Sequence, residues 1–253
     1  MKKIPIALAI GLIVAGGLSV SAQTLVLQLK GANYSTDFGT WSDSSGNNDT
    51  ATWSGAGTPT LATVNGVTVV DFTHGTGTFT LGSSLAGTSG YTVFAYILSG
   101  GVYNSALTGG TGSGGLEYRV RATGKQSAVA EWQAELGDGN AIIPTTSWSL
   151  IGEAVNSSGN AYRFNGASDG TGTARAFTGS ITQVFNNMGG GEGFNGSVAE
   201  LDIYSGAMTT EQMQTVEAGL LSTYSAIPVP EPTTLAMMAG GFGLLFAARR
   251  FRK

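Results

Sequence analysis

The 253-residue sequence has no cysteine, one histidine and few charged residues, which make up 11% of the chain. Without cysteine it has no disulfide, no thiolate metal ligand and no cysteine nucleophile. The histidine, His74, has no acid–serine motif around it, so the sequence gives no support for a hydrolase triad. Residues 23–228 carry 6 basic and 15 acidic groups, a net charge of −9. Such an acidic segment lacks the basic surface that nucleic-acid binding requires.

The N-terminus has the features of a secretory signal peptide. Lys2 and Lys3 precede an apolar run over residues 4–20, and the small residues Ser21 and Ala22 follow it. This order predicts cleavage before Gln23 by signal peptidase, with an uncleaved anchor as the alternative. Lysines before the first apolar run and arginines after the last both favour the cytoplasm, so the middle of the chain is predicted to be exported.

The last 25 residues combine two prolines, an apolar run over residues 235–248 and a basic end. Proline cannot donate a backbone hydrogen bond, so a helix can begin only after the prolines, at Thr233 or Thr234. Up to Ala248 such a helix would span roughly 24 Å, against about 30 Å for a hydrocarbon core. A run this short is often a buried helix, but arginines at its end can lengthen the span by snorkelling. We therefore predict a transmembrane helix.

The ordered arrangement over residues 229–253 resembles the PEP-CTERM sorting signal of bacterial proteins that are processed by exosortases. The residues that carry the resemblance are Pro230, Glu231 and Pro232, followed by Arg249 and Arg250. The resemblance implies a Gram-negative cell that makes extracellular polysaccharide. It also implies an exosortase as partner and transient anchoring in the inner membrane. Removal of the tail near the prolines would leave the product at the cell surface or in the extracellular matrix.

The middle of the chain is rich in glycine, serine, threonine and asparagine, with short apolar runs between turn residues. This pattern predicts an all-β fold. Asn-Gly pairs at Asn65 and Asn165 predict hairpin turns, because both residue types tolerate positive φ. Thr209 and Gln212 form a capping box ahead of apolar residues at helical spacing, which predicts one short amphipathic helix. The predicted strands are 67–72, 91–98, 117–121, 147–155 and 197–204.

Short motifs occur along this region in segments 41–47 (WSDSSGN), 65–72 (NGVTVVDF), 91–94 (YTVF), 147–148 (SW), 162–166 (YRFNG) and 189–204 (GGGEGFNGSVAELDIY). In this order they resemble the concanavalin A-like jelly roll, specifically its laminin-G-like bacterial version. The resemblance implies two antiparallel sheets, one of them concave, packed face to face. The chain then divides into a signal peptide (1–22), a jelly-roll domain (23–226) and a sorting segment (227–253).

Glu200 and Asp202 stand two residues apart on a predicted strand, which places both side chains on one face, roughly 6–7 Å apart. Laminarinase-type hydrolases of the resembled fold use Glu-x-Asp-x-Glu or Glu-x-Asp-x-x-Glu, with the two glutamates as nucleophile and acid. Here Tyr204 or Ser205 occupies the second glutamate position. We therefore predict a protein that is not an enzyme, with Glu200 and Asp202 as candidate carbohydrate contacts.

Asp43, Asn47 and Asp49 place three oxygen-bearing side chains within seven residues, a donor set suited to Ca²⁺. The bidentate glutamate of an EF-hand loop is missing. A network of Asx turns that only shapes the loop is an equally good interpretation of the same residues. Calcium is thus the one cofactor that the sequence suggests.

Four tryptophans could stack on sugar rings. Trp41 and Trp148 are predicted to lie in the core, because one sits beneath its loop and the other begins an apolar strand. Trp53 and Trp132 have polar neighbours and are the better candidates for carbohydrate binding.

Together these features predict a secreted or cell-surface protein that binds glycan or acts as an adhesive element in the extracellular polysaccharide matrix. A structural module without a ligand is the first alternative, and a laminarinase-type glycoside hydrolase is a weaker one. Fold alone does not decide among them.

Overall fold

The computed structural model describes residues 23–72, 76–86, 90–100, 105–110, 116–121, 123–130, 134–173, 180–185 and 194–227. Over these residues the chain is almost entirely β-strand, with one helix near the end. The strands are β1 (Thr24–Ser35), β2 (Thr40–Asp43), β3 (Ala51–Ala56), β4 (Thr60–Val64), β5 (Val67–Asp71), β6 (Thr76–Ala86), β7 (Tyr91–Ser99), β8 (Ser105–Ala106), β9 (Thr108–Gly109), β10 (Leu116–Val120), β11 (Gln126–Ala130), β12 (Ala134–Asp138), β13 (Ser149–Asn156), β14 (Gly159–Phe164), β15 (Ala167–Gly172), β16 (Ser180–Val184) and β17 (Gly196–Ser205), and the helix is α1 (Thr210–Thr223).

The strands form a two-layered antiparallel sandwich. One path of hydrogen-bonded strands runs β15-β14-β13-β7-β17-β1-β2-β3-β6-β16-β9, with β5 and β4 joined to β17, and a second sheet has the order β12-β11-β10-β8. Strand β1 pairs with two neighbours in the larger sheet: its first half pairs with β17 and its end, at Tyr34 and Ser35, pairs with β2. The β1–β2 pairing shifts its register between Leu29 and Tyr34, which marks an irregularity of the kind that bends a strand. The predicted all-β jelly-roll sandwich with a short helix after its last long strand is confirmed.

The central strand β7 contributes side chains to two separate cores. Tyr91, Val93 and Ile97 point between the layers, into a core that also contains Trp41 and an aromatic group built around Phe79. The alternate residues face outward, where Phe94 and Tyr96 pack with Met213 and Tyr224 of the helix segment. Both faces of β7 are therefore apolar, and α1 covers the face that solvent would otherwise reach.

Local sequence signals account for the turns and the helix start. Asn65 and Asn165 adopt φ of 49° in hairpin turns, each followed by a glycine with positive φ. The Thr209 side chain accepts a hydrogen bond from the Gln212 amide, and the Gln212 side chain accepts one from the Thr209 amide. This is the reciprocal arrangement that the capping box predicts.

The end of the helix segment is fixed to the sheet by three long-range hydrogen bonds. The Tyr224 hydroxyl donates to Glu200, the Asn65 side chain donates to the Ala226 carbonyl, and the Tyr96 hydroxyl donates to the Ile227 carbonyl. We call these three contacts the C-terminal clamp. In the described part of the chain, no helix is long and apolar enough to cross a membrane. The predicted anchor helix at 235–248 and the predicted signal peptide lie outside the described residues.

Candidate functional site

Glu200 and Asp202 lie on the face of β17 that the helix segment covers. One oxygen of Glu200 accepts from the Tyr224 hydroxyl at 2.5 Å and the other accepts from the Gln28 side-chain amide at 2.7 Å. The two residues are only 3% and 2% exposed. The structure thus corrects the placement of these predicted sugar contacts: both are buried under the C-terminal clamp and are not presented to a glycan in an open groove.

Burial also changes the acidity of this pair. It raises the pKa of Asp202 well above its ordinary value, and the negative charge of Glu200 raises it further. Within the described residues, Oδ1 of Asp202 has no hydrogen-bond partner. Burial likewise raises the pKa of Tyr224, so its hydroxyl remains a donor to Glu200. This arrangement holds the helix segment against the sheet.

The loop between β2 and β3 is shaped by Asp43. Oδ1 accepts from the amides of Gln28 and Ser45, while Oδ2 accepts from the Ser45 hydroxyl and the Asp49 amide. Burial alone would raise the pKa of Asp43, but these hydrogen bonds outweigh it and the pKa is lowered. The Asn47 side-chain amide donates to the carbonyls of β1. The Asx-turn alternative therefore describes this loop.

This geometry bears directly on the predicted calcium site. Both oxygens of Asp43 already accept protein donors, and Asn47 directs its amide group toward β1. In the described ranges no three histidine or acidic side chains come close enough together to hold a metal ion. The contacts of Asp43 and Asn47 thus shape the loop, and calcium binding at Asp43, Asn47 and Asp49 stays a prediction.

The tryptophans divide between core and edge. Trp41 is fully buried and Trp148 is 6% exposed, as predicted for core residues. Trp53 packs its ring against Phe72 and Phe79 and donates its ring N–H to the Gly57 carbonyl, so it forms the margin of the aromatic core. Trp132 lies outside the described residues. Phe38, in the turn after β1, is 78% exposed, and no local pattern in the sequence marks it as an exposed aromatic residue.

A pocket of about 230 Å³ lies beside the β2–β3 loop. Its lining comes from β1, from that loop, from β6, from the start of β7 and from the end of β17, so only the folded chain brings these parts together. The lining residues are Val26, Asn47, Asp49, Ser83, Ser84, Leu85, Tyr91 and Ser205. Asn47 and Asp49 were singled out in the sequence as metal ligands, whereas the three serines carry no signal of their own. We call this set the rim pocket.

Residues 228–253 match the PEP-CTERM protein-sorting motif. This motif implies export, membrane-anchored sorting to the cell surface and processing by an exosortase. Its predicted determinants Pro230, Glu231, Pro232, Arg249 and Arg250 lie outside the described residues. No curated protein matches the chain by sequence.

Several solved structures share the fold at low sequence identity. One is domain 4 of AbnA, a GH43 extracellular arabinanase from Geobacillus stearothermophilus, in complex with arabinotriose (TM-score 0.57, 19% identity, 78% of this chain and 99% of that chain). Others are the binding domain of Paraclostridial Mosquitocidal Protein 1 (0.58, 12%, 78% and 52%) and the botulinum neurotoxin serotype D ligand-binding domain in complex with N-acetylneuraminic acid (0.52, 14%, 78% and 51%). The match spans about half the length of these last two. At such identities the likeness establishes a common jelly-roll sandwich.

Proposed function

We propose that this chain is a non-catalytic surface protein of a Gram-negative bacterium that binds glycan in the extracellular polysaccharide matrix after an exosortase has sorted it. The observation that carries this proposal is the sorting motif at residues 228–253, behind a β-sandwich with an acidic middle region. The resemblance of the tail implies a cell that makes extracellular polysaccharide, which the exported domain would then meet.

The environment of Glu200 supports the non-catalytic part. A retaining glycosidase needs two carboxyl groups flanking an open cleft, and an inverting enzyme needs a similar pair further apart. Glu200 is 3% exposed and both of its oxygens accept protein hydrogen bonds. Asp202, its neighbour on the same face, is buried as well. Neither group is available to protonate or attack a glycosidic bond.

The glycan-binding part is supported by the rim pocket and, by analogy, by the ligands of the fold's other members. The AbnA domain is in complex with arabinotriose, and the neurotoxin domain is in complex with N-acetylneuraminic acid. The match spans nearly all of the AbnA domain but only about half of the neurotoxin chain, so the analogy rests mainly on the AbnA domain.

A ligand-free structural module is the second candidate, and the positions of the predicted sugar contacts favour it. Glu200 and Asp202 are buried, and Trp53 is packed in the margin of the core. Because these residues make contacts within the fold, they are not presented to a ligand, and the domain could serve as a spacer.

The test is retention of the purified full-length protein on immobilised polysaccharides, with an unrelated acidic β-sandwich protein as control. Saturable retention on at least one polysaccharide, without release of free sugar, is the expected result. No retention on any of them would replace the binding function with the structural one. Sugar release that disappears in Glu200→Gln would overturn the non-catalytic assignment.

A further inference from the structure

The rim pocket contains one carboxylate whose hydrogen bonding is incomplete. Asp49 is 6% exposed, and its Oδ1 accepts from the Ser83 amide at 2.8 Å. Its Oδ2 is buried and has no partner among the described residues. A carboxylate oxygen without a donor costs free energy in a buried position, so a donor that reaches it from the pocket would be bound with the corresponding gain.

The pocket offers both polar and apolar contacts. Asn47, Ser83 and Ser84 are exposed and form its outer edge, while Asp49 and Tyr91 are buried and lie deeper. The Tyr91 hydroxyl donates to the Leu85 carbonyl, so Tyr91 offers the pocket mainly its ring. Hydroxyl donors beside an apolar wall suit a ring that carries hydroxyl groups on its edge and C–H groups on its faces. A volume of about 230 Å³ equals about seven or eight water molecules, the size of a single sugar ring.

The charge of the site limits which sugar it can accept. Among the described residues that line the rim pocket there is no lysine or arginine, and the charged group is the Asp49 carboxylate. Residues 23–228 as a whole carry nine more acidic than basic groups. A carboxylate or sulfate on the ligand would therefore meet repulsion without compensation, whereas hydroxyl or ammonium donors would be attracted.

We propose that the rim pocket binds one residue of a neutral or amino-bearing glycan, with Asp49 accepting hydrogen bonds from the sugar and the serines completing the contact. This proposal rests on the glycan-binding function proposed above, and it adds the site and the class of sugar. It also excludes acidic polysaccharides as ligands of this pocket.

Two variants test the site in the full-length protein. Asp49→Asn keeps the shape and can still accept from Ser83, but it replaces the second acceptor oxygen with a donor. Ser84→Trp fills the exposed edge without touching the buried carboxylate. Asp37→Asn, an exposed acid in the turn after β1, is the matched control for loss of one negative charge. Retention is measured on arabinan, chitosan and alginate as neutral, cationic and anionic probes, and the melting temperature of each variant is measured in parallel.

The expected result is retention on arabinan or chitosan, none on alginate, and a loss of affinity of about 10-fold to 100-fold in both site variants, without a lowered melting temperature. Retention that both variants leave intact would overturn the pocket while the general binding function stands. Absence of retention on every probe would overturn both the rim-pocket proposal and the glycan-binding function. Preference for alginate would overturn the charge argument, and retention abolished by EDTA would replace the direct contact with a metal-bridged one.

Discussion

The acidic residues of β17 and those of the β2–β3 loop are chemically alike but lie in opposite environments. Glu200 and Asp202 are closed off beneath the C-terminal clamp, and Glu200 has both oxygens occupied. Asp49 lines the rim pocket and retains one oxygen without a donor among the described residues. The comparison teaches that the role of a carboxylate depends on whether another part of the chain packs over it. Glu200 and Asp202, which the helix segment covers, stabilise the docking of that segment. Asp49, which lines the rim pocket, is the acid that we propose as a ligand contact.

The largest effect is expected from breaking the closed pair. Glu200→Ala leaves the buried hydroxyl of Tyr224 and the amide of Gln28 without their acceptor, which should lower the free energy of unfolding by about 2–4 kcal/mol. Urea denaturation at pH 7 measures it. Tyr224→Phe, which removes only one of the two hydrogen bonds, should cost about 1 kcal/mol.

The exposed Asp37→Ala is the control for that experiment and should change stability by less than about 0.5 kcal/mol. Equal effects of Glu200→Ala and Asp37→Ala would mean that Glu200 does not hold the helix segment against the sheet.

A smaller effect, of opposite sign, is expected at Asp202. Its pKa is raised in the folded protein by burial and by Glu200, so the folded state holds this proton more tightly than the unfolded chain. Stability from this group is therefore present at low pH and is lost as pH rises from about 3.8 through the raised value. Asp202→Asn should make the protein more stable at pH 7 by about 1–2 kcal/mol, with the advantage vanishing below about pH 4.

Glu153 provides an internal reference for this titration. It is buried between the layers, and burial raises its pKa to about 8, with a partly offsetting hydrogen bond from Asn160. The free energy of unfolding of the wild type should fall as pH rises from 4.5 to about 8, and Glu153→Gln should make this fall smaller. The stability gained through Asp202→Asn should be the same with and without Glu153→Gln. If Asp202→Asn had the same pH profile as wild type, the raised pKa of Asp202 would be wrong.

A still smaller change in the free energy of unfolding, this time a loss, is expected at Asp43. Asp43→Ala removes the acceptor of four hydrogen bonds that shape the β2–β3 loop, but water can replace part of them because the residue is half-buried. We expect a loss of about 1 kcal/mol. Hydrogen exchange of the Ser45 amide should become faster, whereas an unchanged exchange rate would show that the Asx turns do not order the loop.

The smallest effect is expected from metal removal. The oxygens of Asp43 already accept protein donors, which Ca²⁺ would have to replace before it could bind at Asp43, Asn47 and Asp49. The melting temperature should be the same in EDTA and in millimolar calcium. A rise with calcium that Asp49→Asn abolishes would restore the metal interpretation of the loop.

The sequence predicted those features that depend on neighbouring residues. The Asn65 and Asn165 turns and the capping box of Thr209 each require a few consecutive residues, and all three occur as predicted. Alternation along β17 correctly placed Glu200 and Asp202 on one face. It could not indicate that the helix segment, which begins at Thr210, would cover that face.

The rim pocket was beyond prediction for a related reason. Asp49, Ser83 and Ser205 are brought together by strand pairings whose partners are far apart in sequence. The oxygen-rich loop identified Asn47 and Asp49, but as ligands of a metal. Distinguishing a metal ligand from a hydrogen-bond acceptor requires knowing where each oxygen points, which spacing alone does not give.

The C-terminal clamp also limits how the domain can be attached. Its last contact is at Ile227, and the sorting motif begins with the next residue. From Ile227 to Pro230 even a fully extended chain reaches only about 10 Å. A protease that cuts at the prolines would therefore have to place its active site within about 10 Å of the folded domain. The surface of the domain near Ile227 would then have to fit beside the entrance of that active site.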